Sequence, residues 1–189
     1  GVPPEDATPP TITINEPQAR DYLHSESITL DFSAVDPGSG IASISATLDG
    51  VVVVDGQTID LSTLSLGQHT LTVTAVDNAA NVATLSRTFN IIATIDSLIS
   101  MVQKFFEGEA SETSLHTDNF APYTSSDVET GLLDKLYAAK KQIEMGRIKT
   151  AINILNAFIN QVRAQSGKAL SVEEACVLIE DANYVIQHL

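Results

Sequence analysis

The chain holds one cysteine, Cys176, no tryptophan, and only 10 lysines and arginines among its 189 residues. One thiol closes no intramolecular disulfide and builds no Cys-rich metal site. It also leaves the redox compartment open, since exported bacterial proteins and cytosolic ones both manage without disulfides. Ten cations against 24 acids leave a formal net charge of −14. That excludes nucleic-acid binding through a phosphate-neutralising surface, which needs clustered cations, and it makes an anionic membrane surface a poor partner. No apolar run approaches the ~20 residues that a spanning helix needs. Gly1-Val2-Pro3-Pro4 lacks the charged start and apolar core of a signal peptide, so a mature product or an excised fragment is expected. The 43% hydrophobic fraction excludes a mainly disordered chain.

The charge is unevenly spread. Residues 1–95 hold 11 acidic residues and two basic ones, Arg20 and Arg87, for a net of −9, and the first lysine is Lys104. Two halves with such different lysine usage point to two modules with different surfaces.

Residues 1–8 read as a Pro-rich linker. From Thr11 the apolar period is two: Thr11–Ile14, Ser27–Val35, Ile41–Leu48, Val51–Val54, Gln57–Leu61, His69–Val76 and Val82–Ile92. β-Branched residues dominate these runs. Asp49-Gly50 and Asp55-Gly56 supply hairpin turns that need positive φ. About seven short strands over residues 9–93 predict an Ig-like antiparallel β-sandwich, here without the cysteine pair and tryptophan of antibody domains.

From Ile95 the period becomes about 3.6. Ile95, Leu98, Ile99, Val102, Phe105 and Phe106 form the first stripe, stopped at Gly108. A Ser126/Glu129 capping box is expected to open a second helix that ends near Gly146. A third helix runs from Arg147 to Gln165. Ser171 and Glu174 cap a fourth, whose expected buried face is Val172, Ala175, Cys176, Ile179, Ala182 and Ile186. Residues 94–189 thus predict a four-helix bundle, interrupted by a long polar loop at 109–125. Cys176 is expected to be a buried structural thiol.

Two resemblances rest on these residues. The stretch Gly67–Asn81 (GQHTLTVTAVDNAAN), with ITLDFSAVDPGSGIASISATLDG before it, resembles the bacterial Ig-like repeats of modular surface and secreted proteins, except that Ala80 stands where such repeats carry Gly. The words Gly131-Leu132-Leu133, Ala151-Ile152 and Ala157-Phe158-Ile159-Asn160-Gln161-Val162, with the Gly167-Lys168 link, resemble the FIMAH helical module that closes many bacterial extracellular proteases and hydrolases. The resemblances imply an extracellular or cell-surface bacterial location, and a non-catalytic pair whose parent is a hydrolase or protease.

Chemistry is sparse by comparison. His24, His69, His116 and His188 are isolated and match no metal spacing, and no nucleophile elbow or phosphate loop occurs. His69 reads as a structural hydrogen-bonder. In a sandwich of alternating strands, the chain entry and the loops after the second strand and before the last share one pole. Glu5, Asp6, Asp36, Asp55, Asp77, Asn78 and Asn81 are expected to converge there, a set of hard oxygens suited to Ca²⁺; ordinary turn chemistry accounts for the same residues. Phe120 and Tyr123, in the long loop, are the aromatics expected to stack on a sugar. The polar helix face Lys135, Lys140, Lys141, Glu144, Arg147 and Lys149 is the one clustered basic patch.

Three functions follow in order. The first is a non-catalytic accessory unit that spaces, orients or stabilises a larger bacterial secreted or surface protein, with upstream domains of the same polypeptide as partners. The second is a calcium-assisted carbohydrate- or cell-wall-binding module, and the third is part of a hydrolase.

Overall fold

The computed structural model describes residues 6–107 and 125–189. The chain divides into two compact units: Gly1–Tyr22 with Glu26–Ile92, and Leu23–Ser25 with Ala93–Leu189.

Among the described residues, the first unit holds nine strands: β1 (Thr11–Glu16), β2 (Asp21–Leu23), β3 (Ser27–Thr29), β4 (Asp31–Val35), β5 (Ile41–Leu48), β6 (Val51–Val53), β7 (Thr58–Asp60), β8 (Gly67–Asp77) and β9 (Val82–Ile92). A five-stranded sheet runs β2-β9-β8-β5-β6, and two-stranded ribbons β1-β4 and β3-β7 complete the sandwich. Its core holds Tyr22, Leu30, Phe32, Leu71, Val73 and Phe89. The alternation is clean in β8, where every second residue from His69 to Asp77 is buried. The opposite face carries cross-strand hydroxyl pairs, Thr72–Ser86 at 3.0 Å and Thr74–Thr84 at 3.3 Å.

The predicted strand Ser27–Val35 is two strands. At Leu30 the backbone leaves its ribbon partners: Leu30 donates to the Gln57 carbonyl, and its own carbonyl accepts from Gly56. The chain thus passes from ribbon β3-β7 to ribbon β1-β4 with Leu30 fully buried. The Asp49-Gly50 hairpin has positive φ at both residues, 50° and 85°, which matches the strand twist. Ala80 also sits at φ 68°, the left-handed position that glycine fills at lowest cost.

The second unit contains α1 (Ile95–Glu107), α2 (Ser125–Glu144), α3 (Ile148–Gln165) and α4 (Val172–Gln187). Thr94 and Ser97 cap α1 reciprocally, since each side-chain oxygen accepts from the other residue's N–H. Ser171 and Glu174 form the expected capping box on α4. Ser126 is already helical, because α2 starts at Ser125. Gly131 on α2 lies under the Gln161 amide of α3, where a Cβ would stand 2.9 Å from Nε2.

The buried face of α4 differs from the expectation. It is Ala175, Leu178, Asp181, Ala182 and Val185, while Val172 is 57% exposed and Cys176 is exposed. The face is rotated by about one residue, onto the apolar stripe Ala175, Leu178, Ala182 and Val185, and it takes Asp181 inside with it. A pattern built on hydrophobicity keeps a carboxylate outside, yet this one is fully buried because the His24 ring meets it at 2.5 Å.

Candidate metal site

β4, β5, β8 and β9 bring their turns to one pole, as the register shows: Thr11 pairs Val35, Ile41 pairs Asp77, and Val76 pairs Val82. There one carboxylate oxygen from each of Asp6, Asp36 and Asp77 lies within 4.8 Å of the others. Two ligands at ~2.4 Å from one calcium ion stand at most ~4.8 Å apart, so the spacing suits a shared ion.

Each acid is held by local backbone. Asp6 accepts from Thr8 N–H at 3.0 Å and from Ser39 N–H at 2.8 Å. Gly38 permits this approach, since a Cβ there would stand 2.3 Å from Asp6 Oδ2. Asp36 Oδ1 accepts from Gly40 N–H at 2.9 Å. Buried Asp77 accepts from the Ala79 and Asn81 amides and from the Asn81 side chain at 2.8–2.9 Å. Asn81 also donates to the Asp6 carbonyl, and Asn78 donates to the Ser39 and Gly40 carbonyls. Among the described residues, Asp36 Oδ2 is shielded and without a hydrogen-bond partner.

The Thr8 and Ser39 amides hold the Asp6 carboxyl below its ordinary value. Burial pushes the Asp77 carboxyl up, but the Asn81 side chain and the Asn81 and Ala79 amides outweigh it, and the net direction is down. Both acids are therefore charged at neutral pH. Three carboxylates this close repel one another unless a cation joins them.

Of the residues expected at this pole, Asp6, Asp36, Asp77, Asn78 and Asn81 meet there. Asp55 does not join the three-carboxylate group. It accepts from Phe32 N–H at 2.9 Å, on β4 four residues before Asp36. Glu5, Phe120, Tyr123 and His116 lie outside the described residues, as does the long loop. His69 is a structural group: its ring nitrogens meet Asp49 Oδ2 at 2.6 Å and the Ser65 carbonyl at 2.8 Å. On the helical patch, Lys140 pairs with Asp96 at 2.5 Å. The residue missed from sequence is Asp181, whose partner His24 is 157 positions away. Its signal in sequence is its place on the Ala175/Leu178/Ala182/Val185 face, three residues after Leu178 and beside Ala182.

The fold defines the class: an Ig-like β-sandwich followed by a helical module. More particularly, the family model described as the bacterial Ig domain matches residues 10–73, and that of the FIMAH domain matches residues 124–187, so the chain carries these two domains in that order. No curated protein matches the chain significantly. Among solved structures, the fibronectin(III)-like modules of CbhA from Clostridium thermocellum are 19% identical with a TM-score of 0.36, and the match covers 44% of this chain and 46% of theirs. An endo-beta-1,4-mannanase from Thermotoga petrophila is 11% identical with a TM-score of 0.38, covering 47% of this chain and 21% of the mannanase. The SrpA adhesin from Streptococcus sanguinis is 18% identical with a TM-score of 0.34, covering 72% of this chain and 78% of the adhesin. The chain thus spans less than half the length of the first two. Among the described residues, no helix is long and apolar enough to cross a membrane.

Proposed function

We propose that this chain is a non-catalytic extracellular accessory pair, which spaces, orients or stabilises a larger bacterial secreted or cell-surface protein. The observation that carries this reading is the pairing itself: both matched domains are of non-catalytic module types. The sandwich gives a stiff spacer and the bundle a compact adjoining module, with a boundary near residue 93. The test compares the parent protein with and without residues 1–189. Loss of secretion yield, protease resistance or thermal stability at unchanged intrinsic activity supports the role. Hydrolysis of polysaccharide or peptide substrates by the isolated pair refutes it.

A second reading has its own support in the pole. Asp6, Asp36 and Asp77 would hold Ca²⁺, with Asp36 Oδ2 the donor that has no competing partner. The ion would tie the entering chain to the 36–40 and 77–81 loops and offset their mutual repulsion. The same reading has the chain bind a carbohydrate or wall component, with Phe120 and Tyr123, outside the described residues, the candidate stacking residues. At calcium one hundred times its Kd, the sandwich would gain ~2.7 kcal/mol. Calorimetric titration and melting with and without chelator decide on the metal, and no heat with no change in Tm rejects it. Glycan-array binding with and without chelator decides on the ligand.

A further inference from the structure

We propose that the free edge of β5, with the groove beside it, receives an extended cationic peptide strand from another protein. The ladder shows which backbone groups are free. Asp49 N–H donates to Thr70 O of β8, and alternate residues of a strand turn their backbone groups to opposite sides. Thr47 and Ser45 thus address β8, while Leu48, Ala46 and Ile44 address the other side. β6 pairs only with Ala46–Leu48, so Ile44 has no strand beside it among the described residues. The facing wall is β4, where Phe32 N–H is met by Asp55 and not by a strand.

Between the walls lies a groove of about 320 Å³, lined in part by Phe32, Ala34, Ile44, Val54 and Asp55. Ile44 belongs to the core-facing parity of β5 yet is 41% exposed, and Val54 is 63% exposed. A strand laid here gains main-chain hydrogen bonds at Ile44 and covers this apolar floor, the mode of β-strand addition.

Charge selects the occupant. Asp55 stands in the groove wall, and the unit's two arginines are engaged elsewhere. Arg20 lies 3.6 Å over the Tyr22 ring, and Arg87 donates to the Ile14 carbonyl. Exposed edges are commonly guarded by lysine, and residues 1–95 contain none. A second copy would bring a net −14, with −9 of it on residues 1–95, and be repelled. A segment alternating β-branched and basic residues supplies the missing charge and fits the floor.

The probe is a synthetic peptide of about eight residues, the length of a typical strand, alternating Val and Arg. It is titrated into the whole chain by calorimetry, with hydrogen exchange read at Ile44. We expect saturable binding and slowed exchange of the Ile44 amide. Ile44→Pro removes the free donor at an edge position and should weaken binding about tenfold or more. Asp55→Asn keeps the acceptor for Phe32 and should weaken binding about threefold, with a flatter salt dependence. Circular dichroism checks that both variants fold. Unchanged Ile44 exchange, equal binding of a proline-interrupted Val/Arg peptide, or equal binding of a Val/Glu peptide overturns the proposal. Self-association of the chain blocked by Ile44→Pro overturns it too, in favour of a second copy.

Discussion

Replacing His24 with alanine should cost the helical unit about 3–5 kcal/mol at neutral pH, the range for breaking a buried ion pair by deleting one partner. His24 and Asp181 are both 0% exposed and 2.5 Å apart, and Asp181 Oδ2 has no hydrogen-bond partner among the described residues. With the ring gone, the carboxylate must stay buried without its counter-charge or take up a proton. Burial already pushes the Asp181 carboxyl above its ordinary 3.8, while the His24 hydrogen bond and charge pull it back. A raised folded value means a contribution that is complete below 3.8 and lost as pH climbs through the folded value. His24→Ala raises that value further, so the deficit should shrink on acidification. In a unit of this size, 3 kcal/mol corresponds to a fall in Tm of at least about 12 °C. The assay is thermal melting of the 222 nm signal for wild type, His24→Ala and His24→Ala/Asp181→Leu, across pH. The double variant should recover most of the loss, since an apolar pair replaces a buried ionic one at little cost. A loss under about 1 kcal/mol, or a deficit independent of pH, refutes the reasoning.

Ala80→Gly should stabilise the sandwich by about 1 kcal/mol, because it relieves a left-handed alanine; chemical denaturation shows the gain, and a loss would place the turn elsewhere. In calcium-free protein, Asp6 and Asp77 are held below 3.8, so the stability they lend is intact above that value and is lost as pH falls through their depressed values. The amide shifts of Ser39 and Asn81 should report those titrations, and midpoints above 3.8 would contradict the hydrogen-bond assignment. Cys176 is exposed and should react completely with a thiol reagent in the native protein, whereas the sequence pattern puts it inside, where it would react only on unfolding.

Local features were legible in the sequence. The Asp49-Gly50 hairpin, the alternation of β8 and the capping box at Ser171 are each set by residues within a few positions of one another. What escaped depends on partners far along the chain. The break at Leu30 needs Gln57 and Gly56, and the burial of Asp181 needs His24 against it. At the acidic pole, strand direction alone suffices to bring Asp6, Asp36 and Asp77 together. It fails for Asp55, because β6 ends at Val53 and the chain turns off to meet Phe32 before it reaches the pole.

The strand directions have a mechanical consequence. Residues 6–11 lie at the pole where Thr11 pairs Val35 and Val76 pairs Val82, and β9 leaves the sandwich at the opposite end, where Ile91 pairs Gly67. Tension applied between the two ends of the unit therefore runs along β1 and β9. Ladder hydrogen bonds lie across the strands. The pull shears the β1-β4 and β8-β9 ladders, so that many bonds must fail together and none is peeled open first. The Asp6 contacts to Ser39 and Asn81 take the load at the point where it enters. Pulled in this direction, such a unit would stretch little and yield abruptly.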